Sequence, residues 1–143
     1  VIVGRPGWGC CALIEDLKKM EAHVQLYWLR YLPNSEVMAL MQSAQAMIFP
    51  SLCEGFGLPI AEAFASRLPV VTSNTTALPE VAGDAALLVD PWDVEAIANG
   101  MRMVVEDSNL VKDMRDRGVA RAKQLSWSSC ASGTLSLYHQ LTD

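Results

Sequence analysis

The stretch Phe49-Pro50-Ser51-Leu52-Cys53-Glu54-Gly55-Phe56-Gly57-Leu58-Pro59-Ile60-Ala61-Glu62 decides how the chain is read. Ala46-Met47-Ile48-Phe49 is a short apolar run of buried-strand type, and Pro50-Ser51 stops it. Gly55 and Gly57 follow, with Phe56 alone between them. Leu58-Pro59 opens a helix, because proline suits the first helical position, where its missing N–H removes no bond. Ile60, Ala61, Phe64 and Ala65 give that helix a broad apolar face. The order is strand, sharp turn, helix start.

A glycine-rich turn feeding a helix start leaves several backbone N–H groups free and pointing one way, a ready anion site for a phosphate or diphosphate. Glu54 stands just before the turn and Glu62 one turn into the helix. Helical side chains lean toward the N-terminus, so Glu62 can reach over the cavity that the turn borders. A carboxylate facing a diphosphate would be repelled, so its fitting partner is a neutral diol such as a ribose. Glu54, on the other side of the turn, can accept hydrogen bonds from the hydroxyls of a second ring. Two diol-binding carboxylates flanking a phosphate cradle describe a nucleotide-sugar site. Taken alone, Glu62 could simply complement the helix dipole, worth about 0.3–1 kcal/mol without any ligand. Glu54 alone could be a solvated loop residue. The spacing and the intervening glycines favour the site.

These same residues carry a resemblance to a family. Glu54, seven residues and then Glu62, with Gly55-Phe56-Gly57 inside, resembles the signature of retaining GT-B glycosyltransferases of the large group 1 class (family 4). The likeness continues through Pro69-Val70-Val71-Thr72-Ser73-Asn74, Leu78-Pro79-Glu80-Val81 and Gly83-Asp84-Ala85-Ala86-Leu87-Leu88-Val89-Asp90-Pro91. The resemblance implies that Glu54 contacts the transferred sugar and is the catalytic-site residue. It implies that Glu62 holds the nucleotide ribose and that the amides of Gly55, Phe56, Gly57 and Leu58 meet the diphosphate and sugar. It also brings the end of the second strand, Leu29 and Arg30, into the base pocket, with Arg30 near the base or diphosphate or else a plain surface arginine. A metal-independent mechanism with no cofactor follows from it, the substrate being a GDP- or UDP-linked sugar, GDP-mannose first and UDP-glucose second.

Composition bounds the alternatives. The chain has 143 residues, 51% hydrophobic and 19% charged, values of a packed globular domain and not of a disordered one. No apolar run approaches the roughly 18–20 residues that cross a membrane, and no signal peptide is visible. Cys10, Cys11, Cys53 and Cys130 show no metal-ligand spacing, and an adjacent pair suggests free thiols in a reducing cytoplasm. A net charge of −5 argues against nucleic acid as the partner. It leaves the binding of an anionic donor to local N–H groups and one or two basic side chains.

Earlier in the chain, Val1-Ile2-Val3 reads as a buried strand and implies a preceding βα unit upstream. Gly7, Gly9 and Ala12 fit a dinucleotide fingerprint between strand and helix, the main competing signal for an NAD(P)-binding oxidoreductase domain. That fingerprint needs an acidic residue at the end of the next strand. His23 to Leu29 ends in Leu29-Arg30-Tyr31 instead, so a plain strand-to-helix loop is favoured. His23 and His139 read as structural, without a partner histidine nearby.

Ala12 to Ala22 reads as an amphipathic helix with Leu13, Leu17 and Met20 inward. Glu36 to Ala44 reads as the next, after an Asn34 or Ser35 cap, with Met38, Met41 and Met47 as core filler. Past the central stretch come strand Pro69 to Ser73, a short helix from Leu78 capped by Thr76, and strand Leu87 to Val89. Helices Val94 to Glu106, capped by Asp93, and Leu110 to Lys123 follow. Ser126 starts the last helix, in which Trp127, Leu135, Leu137 and Tyr138 look like packing residues.

Strands alternating with helices predict an α/β fold: an open, Rossmann-like parallel sheet with helices on both faces. The resemblance makes residues 1–143 the donor-binding, carboxyl-terminal half of a GT-B fold. The acceptor, a sugar or lipid-linked glycan, would then come through an N-terminal half, and peripheral membrane association belongs to the full-length enzyme. A non-catalytic nucleotide-binding or epimerase-like module of the same shape is the third reading.

Overall fold

The computed structural model describes residues 1–7, 9–21 and 26–142. Residues 22–25 include His23 and most of the expected start of the second strand, so that part of the reading lies outside the described residues. The chain divides into two compact units, Val1–Ala39 and Leu40–Asp143.

In the first unit, β1 (Ile2–Val3) pairs in parallel with β2 (Trp28–Leu29), and α1 (Cys11–Glu21) lies between them in sequence. The Ile2 amide donates to the Tyr27 carbonyl (2.8 Å), the Gly4 amide to the Leu29 carbonyl (3.0 Å) and the Trp28 indole to the Gly4 carbonyl (2.9 Å). Val1, Ile2 and Val3 are exposed, not buried as their apolar run suggests. A pair of two-residue strands with one helix of its own has too few elements to cover both faces. Among the described side chains of α1 only Leu17 is buried, whereas Leu13 and Met20 are exposed, so the inward stripe is narrower than its periodicity implies.

The helix α2 (Asn34–Ser43) follows, with Glu36 in its first turn and Met41 in the part that belongs to the second unit. There β3 (Met47–Phe49), β4 (Val70–Ser73) and β5 (Leu87–Val89) form a parallel sheet in the order β3-β4-β5. β4 is central and wholly buried. Adjacent strand residues face opposite sides of a sheet, and the core divides accordingly. Val70 packs with Ile60, Ala63 and Phe64 of α3 (Leu58–Ala65), Leu78 and Val81 of α4 (Leu78–Ala82), and Ala85. Val71 packs with Val89, with Val104 of α5 (Val94–Glu106) and with Met114 of α6 (Ser108–Gln124). Helices therefore cover both faces of this sheet, as the alternation of elements predicts. Met41 and Met47 are half-buried against the first of these clusters, in keeping with their reading as core filler.

Two contacts fit α6 and α5 against their neighbours. A Cβ on Gly118 would lie 3.0 Å from Phe64 Cδ1, and one on Gly100 would lie 2.9 Å from Val71 Cγ1. Arg121 of α6 closes the end of α4, with Nε donating to the Val81 carbonyl (3.1 Å) and Nη2 to the Glu80 carbonyl (2.6 Å). These are carbonyls that the helix itself leaves without partners.

The caps obey local chemistry. Asp93 accepts from the amides of Glu95 (2.9 Å) and Ala96 (3.0 Å) and so starts α5 where the sequence places it. Asp107 does the same for α6 through Asn109 and Leu110, which starts that helix at Ser108, two residues before the expected Leu110. Replacing Asp93 or Asp107 with alanine is expected to lower stability by about 1 kcal/mol each. In thermal unfolding that is about 2–4 °C per site, and the pair should add, since each caps a different helix.

Three local expectations are corrected. The apolar face of α3 is Ile60, Ala63 and Phe64, with Ala65 exposed, because the helix turns Ala63 and not Ala65 toward β4. Thr76 does not cap α4. Its cap position is Ala77, which makes no side-chain cap bond, and the Thr76 hydroxyl is used elsewhere. In α7 (Trp127–Thr142), Trp127, Leu135, Leu137 and Tyr138 are exposed and pack into neither core cluster. Their spacing encodes a helix but names no surface to receive them.

Candidate functional site

The site is built on the connection from β3 to α3. Past Phe49 the chain turns through Ser51–Gly57 and enters α3 at Leu58, with Pro59 in the first turn. Gly57 makes the entry possible. Its φ is +101°, a left-handed conformation that side chains rarely adopt, and it is buried against Leu78 and Ile60. The amide of Ile60 donates to the Gly57 carbonyl (2.9 Å) and closes the first helical turn. The amides of Gly55, Phe56, Gly57 and Leu58 donate to no partner among the described residues. They remain available to an anion at the positive end of α3.

Glu54 is half-buried at the start of this turn, and its Oε1 accepts a hydrogen bond from Ser51 Oγ (2.9 Å). Glu62 is exposed one turn into α3, and its carboxylate has no hydrogen bond or ion pair among the described residues. Gly55, Phe56 and Leu58 are exposed as well. The structure thus gathers Glu54, Gly55, Phe56, Gly57, Leu58 and Glu62 on one strand–turn–helix unit. Leu29 and Arg30 belong to the first unit. Leu29 lies in β2, half-buried, and the Arg30 guanidinium stacks 5.3 Å from the centroid of the Trp28 ring. Gly7 and Gly9 precede α1 in that unit, with Cys10 Sγ donating to the Gly7 carbonyl (2.9 Å). All four cysteines are free thiols.

Sequence reading missed the support from β4. Thr72 Oγ1 donates to the Phe49 carbonyl (2.9 Å), Ser73 Oγ to the Ser51 carbonyl (2.6 Å) and Thr75 Oγ1 to the Leu52 carbonyl (3.3 Å). Thr76 Oγ1 accepts from the Glu54 amide (3.1 Å). Thr72 and Ser73 are fully buried polar side chains, and these bonds satisfy them. Thr76 is held at φ +54°, an outlier for a β-branched residue that costs about 1–3 kcal/mol. The signal that could have found this support is the run Thr72-Ser73-Asn74-Thr75-Thr76 at the carboxyl end of a buried strand.

The fold and this turn define a class of protein: an α/β domain in which a glycine turn leads from a strand into a helix. Comparison with solved structures places the fold. Sucrose-phosphate synthase from Thermosynechococcus elongatus superposes with a TM-score of 0.83 over 98% of this chain and 37% of its own, at 23% identity. A trehalose 6-phosphate synthase from Burkholderia multivorans gives 0.80 over 98% and 34%, at 16% identity. Both have the GT-B fold.

The family follows from sequence. The family described as "Glycosyl transferases group 1" matches residues 1–121, and the chain belongs to it. It is 38% identical over 141 residues to O-antigen chain mannosyltransferase B of Escherichia coli, covering 99% of this chain and 37% of that protein. It is also 38% identical over 113 residues to an MMP alpha-(1->4)-mannosyltransferase of Mycolicibacterium hassiacum, covering 76% and 28%. The chain therefore spans about a third of the length of these relatives. No helix among the described residues is long and apolar enough to cross a membrane.

Proposed function

We propose that the second unit binds a nucleoside-diphosphate sugar and that the chain supplies the donor site of a hexosyltransferase, transferring mannose with retention of configuration. The observation that carries this reading is the turn itself: four unpartnered amides at the start of α3, with a half-buried carboxylate before them and an exposed one after. The amides of Gly55 to Leu58 receive the diphosphate, and its developing charge on departure is stabilised by those N–H groups and the helix start. Glu62 takes the ribose hydroxyls and Glu54 the hydroxyls of the transferred sugar. No metal or cofactor enters this reading. Mannose is favoured because the two mannosyltransferases match over most of this chain. GDP-mannose is the first donor to try and UDP-glucose the second. The acceptor, a sugar or lipid-linked glycan, belongs to a further domain, so the 143 residues alone are expected to bind nucleotide weakly and transfer no sugar. Free thiols throughout suit a cytoplasmic setting.

Calorimetric titration of the chain and of Glu62→Ala with GDP, UDP and NADH tests the reading. GDP or UDP should bind the wild type, and the substitution should weaken binding about 10- to 100-fold, the loss expected when hydrogen bonds to a charged group are removed. Binding of NADH alone, or no effect of the substitution, would sink the ribose role of Glu62. The first outcome would return the Gly7–Gly9 loop to consideration as a pyrophosphate site.

A further inference from the structure

Backbone pairing between β3 and β4 ends at Phe49 and Thr72. Beyond it, hydroxyl groups continue the connection: Ser73 to the Ser51 carbonyl, Thr75 to the Leu52 carbonyl and Thr76 to the Glu54 amide. Glu54 is the point on which two of these lines converge. Its amide is held by Thr76 Oγ1 at 3.1 Å, and its Oε1 by Ser51 Oγ at 2.9 Å. Ser51 is itself anchored, since its carbonyl accepts from the buried Ser73 hydroxyl at 2.6 Å. Both ends of the Glu54 residue are therefore tied, backbone and carboxylate, while the second carboxylate oxygen has no partner among the described residues. Thr76 makes its bond from a left-handed conformation, φ +54°, which a threonine adopts only where the surroundings enforce it.

We infer that Ser51 and Thr76 are positioning residues for Glu54, and that sugar recognition at this site is set from the tip of β4 as well as from the turn. A free glutamate side chain samples many rotamers, and ordering it on ligand binding opposes affinity. Holding the amide and one oxygen in advance removes most of that freedom. The remaining oxygen is left to accept from a sugar hydroxyl in a defined direction. The discrimination concerns the sugar and not the nucleotide, since among the described residues neither side chain hydrogen-bonds to the four unpartnered amides or to Glu62. This inference rests on the donor-site reading above.

The test separates the two. The 15N-labelled chain is titrated by NMR with GDP, UDP, GDP-mannose and UDP-glucose, and the affinity gained from the sugar is taken as the ratio of sugar-nucleotide to nucleotide binding. Ser51→Ala and Thr76→Val should each reduce that ratio by about 3- to 10-fold, the worth of one hydrogen bond to a charged or backbone group. Nucleotide affinity should stay within about twofold. Ser51→Thr and Thr76→Ser, which keep the hydroxyls, should restore the ratio. A purely structural role would weaken nucleotide and sugar-nucleotide alike and would overturn the inference. So would an unchanged ratio in Ser51→Ala and Thr76→Val where Glu54→Ala abolishes it, and the donor reading would then survive. If Glu54→Ala leaves the ratio unchanged, or the wild type binds none of the four ligands, the donor reading fails and the positioning role fails with it. Hydrogen exchange of the unsubstituted chain gives a readout independent of any variant's folding. The Glu54 amide should be protected while those of Gly55 and Phe56 exchange fast, and equal rates would count against the Thr76 bond.

Discussion

Phe64→Ala is expected to lower the unfolding free energy by about 3–5 kcal/mol, the range measured when large aromatic core side chains are truncated. The upper part of that range applies for a geometric reason. Phe64 is fully buried on α3, packed with Val70, Leu78 and Val81, and its ring edge meets Gly118 of α6, which has no side chain to move into the space. The cavity would be walled by backbone on that side, so collapse is limited. Urea denaturation followed by circular dichroism measures it, with the midpoint lowered and the slope unchanged. A loss below about 1 kcal/mol would mean that α3 and α6 are not packed as described. Because the turn with the free amides feeds α3 and Glu62 lies on it, the donor-site proposal has nucleotide affinity fall in the same variant only to the extent that the chain unfolds.

Gly57→Ala is expected to be the most damaging small substitution, costing about 2–5 kcal/mol. The left-handed φ of +101° contributes about 1–2 kcal/mol once a Cβ is present. Contact contributes the rest: the new Cβ would lie 2.7 Å from Leu78 Cδ2, an overpacking of the kind that costs about 1–3 kcal/mol. Gly55→Ala is the control, because its Cβ would meet nothing within 4 Å and its φ is not left-handed. That change should cost less than about 1 kcal/mol. If the two variants prove equally stable, Gly57 is not the residue that shapes the turn. Relief of the strain by shifting the turn would re-aim the amides of Gly55 to Leu58, so GDP or UDP affinity should drop in Gly57→Ala even where the protein remains folded.

Much of the site was legible in the chain order. Phe49, Pro50, Gly57 and Pro59 each act on their own or adjacent dihedrals, so the strand end, the turn and the start of α3 at Leu58 can be read locally. The same holds for Asp93, whose side chain bonds amides two and three residues ahead. Thr76 shows the other case. Local preference makes it a cap for α4, but the Glu54 amide, 22 residues earlier in the chain, competes for its hydroxyl and wins. Val1 to Val3 and Trp127 to Tyr138 fail for a related reason. An apolar pattern says which element forms, whereas burial depends on how many other elements arrive to cover it.

The sequence by itself determined the parallel α/β alternation, the glycine turn between two glutamates and the family to which these belong, because each is written in neighbouring residues and their spacing. Only the tertiary structure decided that Glu54 is tied at both ends by Ser51 and Thr76, that Ala63 and not Ala65 faces β4, and that Gly118 receives the Phe64 ring. Those outcomes depend on which strands pair and in what register, and register is a long-range property set by packing rather than by local preference.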